Sequence, residues 1–218
     1  MNKTRLENFS DGVFAIAVTL LVLNIKIPDA HSLDSDGLNR ALLAMVPHVL
    51  TFVFTFMVVG VFWVGHHRIF SFVHILDSGL LWLNIIYLLF VAILPFPAAI
   101  LSENPFLPTA IILYCVSLTI IASMHFLFMT YIYEHKEIKD DILTRSVYRW
   151  GMKNALVAPI FYLVAAAVSF ISVYISFVLI LLVMVFYIFF AGRKLENRLI
   201  RESSERGRKN REGSELTA

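Results

Sequence analysis

Few side chains with chemical capability interrupt the long apolar runs of this 218-residue chain. Four of them are histidines: His48, His66, His67 and His125. Imidazoles facing one another across helices ligate haem, so one haem held by the inner set (His66, His67 and His125) is a chemistry to weigh. His48 belongs near the opposite end of its run, and a stacked pair of haems is therefore not supported. A lone histidine in such surroundings more often serves as a hydrogen-bonded structural group. The other conspicuous group is Asp11, in "RLENFSDGVFAIAVTLLVLNIKIP" (residues 5–28), where Arg5, Glu7 and Asp11 abut a run apolar enough to enter a membrane. The single cysteine, Cys115, cannot form an internal disulfide and reads as an inert buried thiol.

The elements that position these groups follow from composition. Hydrophobic residues make up 59% of the chain and its mean hydropathy is +0.77, so lipid rather than water is the solvent it is built for. Apolar segments of spanning length run over about 12–27, 42–64, 80–101 and 106–132. A fifth block, 155–191, is nearly twice the ~20 residues of one span, which predicts two helices with a turn near "SVYIS" (172–176). With six spans, sixteen of the eighteen basic residues fall on one side, leaving Lys26 and Arg40 opposite. The positive-inside rule then places both termini in the cytoplasm, whereas five spans would export the basic tail. Glu7 and Asp11 argue against reading the first segment as a secretory signal. The tail, 193–218, reads as a solvated, disordered extension with no nucleic-acid role, following a six-helix domain over 1–192.

The first helix has two unlike faces. At 100° per residue, Ile16, Leu20, Leu23 and Ile27 fall within about 60° of one another, and Phe9 extends their stripe. Asp11 lies about 140° from Ile16. One reading makes it a clamp satisfied by neighbouring helices, with Arg5, Trp63, His66, His67, Arg68 and Asn84 as candidate partners. The other makes it an exposed cap of the helix N-terminus. Thr19 sits about 60° from Ile16, at the stripe's edge, where its hydroxyl could meet a permeating ion or bond the i−4 carbonyl of its own helix. The aliphatic stripe alone does not separate a pore lining from a lipid-facing surface.

The run 5–28 closely resembles the first helix of the transmembrane protein 175 family, the lysosomal potassium channels and their bacterial relatives. The likeness is carried by Arg5, Phe9-Ser10-Asp11, Ala15-Ile16, Thr19-Leu20-Leu21 and Pro28, and later by "FWVGHH" (62–67) and "LLWLNIIYLLFVAILPFPAAIL" (80–101). It extends over roughly residues 1–190. The resemblance implies a single-repeat, bacterial-type unit that assembles as a homotetramer, with the first helix lining a central pore. It further implies a hydrophobic constriction at Ile16, Leu20 and Leu23, and a structural polar network around the Phe-Ser-Asp segment. The groups expected in that network are Arg5, Ser10, Asp11, Trp63, His66, His67 and Asn84. Asn24 departs from the family pattern, where an acidic residue is frequent, and this weakens the case for a cation-attracting outer mouth.

No Thr-Val-Gly-Tyr-Gly filter and no arginine-rich voltage-sensing span occurs in the sequence. The expectation is therefore an all-α, six-span membrane protein conducting K⁺ passively through an axial pore, with dewetting at the constriction and Thr19 contributing to selectivity. It is expected to be no enzyme, to bind no cofactor beyond the permeant ion, and to sit in the cell membrane. Its expected partners are itself, the bilayer and monovalent cations. The rival is a secondary transporter, for which Pro95 and Pro97 would break the third span as in discontinuous transporter helices. The same prolines more simply mark that span's end.

Overall fold

The computed structural model describes residues 2–25 and 34–191. Its described residues form helices α1 (Lys3–Leu20, continued by a tighter turn Leu21–Asn24), α2 (Ser35–Ala44), α3 (Val46–Phe70), α4 (Ser78–Ile93), α5 (Pro95–Glu103), α6 (Pro108–Glu134), α7 (Arg145–Ala155), α8 (Val157–Val168) and α9 (Val173–Phe186). Grouped end to end they make six helices long and apolar enough to cross a membrane, the number predicted from hydropathy and charge. The tail and the segment 26–33, with Ile27 and Pro28, lie outside the described residues.

Proline explains why three of the spans are built from two helices. The junctions at Met45, Leu94 and Leu156 are followed within three residues by Pro47, Pro95 and Pro159. Each ring removes a backbone N–H and clashes with the preceding turn, which bends a helix without ending it. At the second junction Leu94 N–H bonds Val91 O (3.2 Å) and Ala98 N–H bonds Leu94 O (3.2 Å), so pairing resumes at once. The third span thus continues through Pro95 and Pro97 to Glu103. The prolines neither terminate it nor unwind it into half-helices, which corrects both sequence readings of this pair.

Two further boundaries differ from expectation. The turn inside the last apolar block is at 169–172, not 172–176. Tyr174 and Ser176 already belong to the first turn of α9, and Ser176 Oγ donates to Ala165 O (2.7 Å), tying α9 to α8. A buried serine that staples two helices looks like a turn signal when seen only as sequence. The fifth span likewise begins at Arg145, because the polar, amphipathic α7 leads into it.

α6 is the central post, packed against α3, α4, α5, α7, α8 and α9. α1 lies on one flank against α3, α4 and α5, while α8 and α9 pack together on another. The helix ends at Lys3, Phe70, Ser78, Glu134 and Arg145 meet at what we call the basal end. There an antiparallel bridge joins Val73 to Lys139, with His74 N–H on Ile138 O (2.7 Å) and Asp140 N–H on Phe72 O (2.8 Å). Lys3 Nζ donates to Val73 O (2.8 Å), so the start of α1 is held by the same clasp. Asp77 caps α4, accepting from Leu80 N–H (2.8 Å) and Tyr131 O–H (2.6 Å).

Candidate functional site

The candidate site is built on α1. Its buried positions, Leu6, Ser10, Phe14, Ala17 and Leu21, follow helical spacing and fill the groove between α3 and α4. Among them Ser10 is the polar exception, and it sits at the centre of a hydrogen-bonded chain. His66 Nε2–H donates to Asn84 Oδ1 (2.8 Å), Asn84 Nδ2 donates to Ser10 Oγ (3.0 Å), and Ser10 O–H donates to Leu6 O (2.9 Å). Three helices are thereby locked through fully buried groups, each donor meeting an acceptor. Since an amide oxygen can only accept, the contact assigns the His66 ring proton to Nε2.

Asp11 behaves differently from its neighbour. It is the ninth residue of α1, and the helix is capped by Asn2, whose side chain accepts from Thr4 N–H (3.2 Å). The capping reading of Asp11 therefore fails: the helix begins two turns before the apolar run does. The carboxylate accepts from Trp63 Nε1–H (2.8 Å), and Trp63 in turn stacks on His67 (ring centroids 6.3 Å). Its described partner is a neutral indole, and Asp11, Trp63 and His67 are all exposed on the single chain. Arg5 is also exposed, on the outer side of α1, and takes no part in the described hydrogen bonds of this group. The structure thus brings together Ser10, Asn84 and His66 in one chain and Asp11, Trp63 and His67 in another, and leaves Arg5 apart.

Sequence reasoning missed a second layer of this site. Tyr87 O–H lies 3.1 Å from His125 Nε2, and its ring stacks on His66 (5.4 Å, 10°). Tyr87 is three residues after Asn84 on α4, so the helical repeat from Asn84 was the available signal. His48 Nδ1 is 3.2 Å from Ser102 Oγ, at the opposite end. His48, His66 and His125 each meet a side-chain partner, the structural role that competes with haem ligation.

The aliphatic stripe occupies the opposite circumstance. Phe9 (55%), Ile16 (61%), Leu20 (42%) and Leu23 (71%) are all exposed on the chain. Thr19 is exposed beside them, and its hydroxyl donates to Ile16 O (2.9 Å), the i−3 carbonyl. That bond uses the proton and leaves the oxygen lone pairs available to a cation, so both readings of Thr19 are compatible with its geometry. Asn24, at the far end, donates to Pro95 O (3.2 Å), fastening α1 to the kink between α4 and α5.

Comparison with known proteins agrees with this geometry. Residues 5–95 match the family model for the endosomal/lysosomal potassium channel TMEM175. The chain is 39% identical over 176 residues to a potassium channel of Chamaesiphon minutus, covering 79% of this chain and 86% of that protein. It is 29% identical to a potassium channel of a Chryseobacterium species, covering 81% and 87% of the two chains. Against the Danio rerio protein named endosomal/lysosomal proton channel TMEM175 it is 26% identical, and it matches only 35% of that longer chain. Among solved structures, the fold matches the lysosomal potassium-selective channel TMEM175 homologue from Chamaesiphon minutus with a TM-score of 0.74, 35% identity, and coverage of 85% and 95% of the two chains. A variant of the potassium channel MtTMEM175, at 20% identity and a TM-score of 0.60, shares the fold. The chain is a multi-pass membrane protein that belongs to the TMEM175 family.

Proposed function

We propose that this chain is a potassium-selective channel of the cell membrane, in which four copies surround an axis lined by α1. The observation that carries the reading is the division of α1: Ser10 and Asp11 are hydrogen-bonded to α4 and α3, while Phe9, Ile16, Leu20 and Leu23 are left bare along one stripe. Four such stripes facing an axis form a narrow aliphatic sleeve that limits conduction by dewetting, with Ile16, Leu20 and Leu23 as its constriction. Thr19 at the edge of the stripe presents a hydroxyl oxygen to a dehydrating cation. The structural network of Ser10, Asp11, Trp63, His66, His67 and Asn84 fixes the rotation of α1 and hence which residues meet the ion; Arg5 contributes charge at the entrance. Basic residues concentrate at the basal end, which supports a cytoplasmic location for both termini. The six-helix body over 1–192 forms the channel.

The names of the relatives divide between potassium and proton channels, so the permeant ion is the point to test. The carrier alternative drew its particular support from a broken third span, and that span is kinked at Pro95 without an unwound stretch, since pairing resumes at Ala98 N–H on Leu94 O. Purified protein in planar bilayers, under opposed KCl and NaCl and then under a pH gradient, should give discrete current steps and a reversal potential near that of K⁺. Thr19→Ala should keep the conductance and move the reversal potential toward zero. A reversal potential that follows pH would replace K⁺ by the proton. Saturable, gradient-coupled uptake without steps would favour a carrier.

A further inference from the structure

Away from α1, a cleft of about 120 Å³ opens between α3, α6, α7 and α8 toward the basal end. Its walls are mainly apolar, with Phe62, Ile69, Met129 and Val147 among them, and Trp150 stands in its lining. Trp150 also borders a surface hollow of about 410 Å³ lined by Ser146, Arg149 and Lys153. The two spaces therefore share one aromatic wall. On α7, Arg145, Arg149 and Lys153 recur at i, i+4 and i+8 and are exposed, so they form a single basic ridge along that hollow. Glycines shape its wall by letting neighbours close in: a Cβ on Gly151 would come within 2.7 Å of Met129 Cε, and one on Gly65 within 2.8 Å of His125 Cε1, so both side chains lie against bare backbone.

We propose that this pair of spaces binds one anionic glycerophospholipid from the adjoining leaflet. An apolar slot opening beside a basic ridge at the membrane boundary matches a molecule with an acyl chain on one side of a phosphate. A tryptophan at their junction suits the level where chain meets headgroup. Arg149 and Lys153 take the phosphate, and the cleft behind Trp150 takes the proximal part of one chain. A zwitterionic lipid offers the same chain but cancels the charge that the ridge selects. His125 in the cleft wall also meets Tyr87 behind α1, whereas Arg149 and Lys153 on α7 lie outside that layer, so the headgroup contacts are separable from the conduction reading.

The test is native mass spectrometry of the full chain, released from detergent holding equal amounts of phosphatidylglycerol and phosphatidylcholine with identical acyl chains. Phosphatidylglycerol should be retained over phosphatidylcholine by roughly thirtyfold, the effect of two basic residues near the headgroup at about 1 kcal/mol each. Arg149→Gln with Lys153→Gln should bring the ratio close to one while leaving the thermal midpoint unchanged, since both side chains are exposed. Lys136→Gln with Lys139→Gln, which removes the same charge elsewhere at the basal end, should keep the preference. Gly151→Leu should reduce retention of both lipids by pushing Met129 into the cleft. The proposal is overturned if the preference survives loss of Arg149 and Lys153, or if the Lys136 and Lys139 variant abolishes it equally. It is also overturned if glycerol phosphate, which has no chains, strips the preference already at the concentration of the lipid, or if the full chain retains neither lipid.

Discussion

Two faces of α1 differ in how they are stabilised. On the inward face Ser10 is wholly buried and accepts from Asn84 of α4, which in turn is bonded to His66 of α3, and Phe14 packs against His66 and Tyr87. On the aliphatic face Ile16 and Leu23 touch little of their own chain. A buried polar chain has strict geometry, because each group must meet its partner or remain unsatisfied in a medium without water. An aliphatic stripe has none, and any apolar residue of similar volume fits it. The first face therefore sets the orientation of the helix, and the second is free to vary without disturbing it. Substitutions on the two faces should fail in different ways.

The largest effect is expected from Asn84→Leu. It leaves the His66 N–H without an acceptor and removes the donor to Ser10, two buried losses of about 1–3 kcal/mol each, for a total of roughly 2–6 kcal/mol. Thermal unfolding in detergent should show a lowered midpoint and loss of the assembled species. Ile16→Asn should leave that midpoint alone and instead wet the constriction; lowering its barrier by about 1.4 kcal/mol raises current about tenfold. If Ile16→Asn were as destabilising as Asn84→Leu, the two faces would not be separate.

Asp11→Asn should be milder than a buried charge would suggest. The described partner is the Trp63 N–H, from which an amide oxygen can still accept, so the cost is about 1 kcal/mol or less. A midpoint shift comparable to that of Asn84→Leu would mean that a second chain supplies Asp11 with a cation. The smallest effect belongs to the basal clasp. Burial alone would raise the Asp77 carboxyl, but hydrogen bonds from Tyr131 and Leu80 outweigh it and hold it below its ordinary value. A lowered folded-state pKa means that its contribution is complete above the ordinary value of about 3.9 and is lost as pH falls through the folded value. Stability measured from pH 6 downward should thus be insensitive to Asp77 until below about pH 4. Tyr131→Phe should reduce the acid-dependent part of the loss.

Much of this contrast is legible in sequence, for reasons that can be stated. Span number is a one-dimensional property, and it survives intact into the six helices. The stripe from Ile16 to Leu23 follows from a 100° repeat. What fails is whatever depends on where a helix starts or on which neighbour is near. Asp11 resembles a cap because the apolar run begins beside it, yet Asn2 starts the helix nine residues earlier. Arg5 looks like the natural counter-ion for Asp11, but 600° of helix separates them, so a neighbouring helix supplies the partner instead. Trp63, His66 and Asn84 could be named as candidates from their depth alone; their division into an Asp11 set and a Ser10 set needed the packing of α3 and α4. Pro95 illustrates the same limit, since one proline in a chain can end a helix or only bend it.

The central claim is that the bare stripe of α1 faces permeating ions and not lipid. It is tested most directly by cysteine accessibility during current recording. In a Cys115→Ala background, Ile16→Cys is compared with Leu182→Cys, an equally bare position on α9. A charged, water-soluble thiosulfonate applied to the conducting protein should block the Ile16→Cys current progressively and irreversibly, and leave the Leu182→Cys current unchanged. If the Ile16→Cys current is as insensitive as that of Leu182→Cys, the stripe faces lipid and α1 does not line the pore.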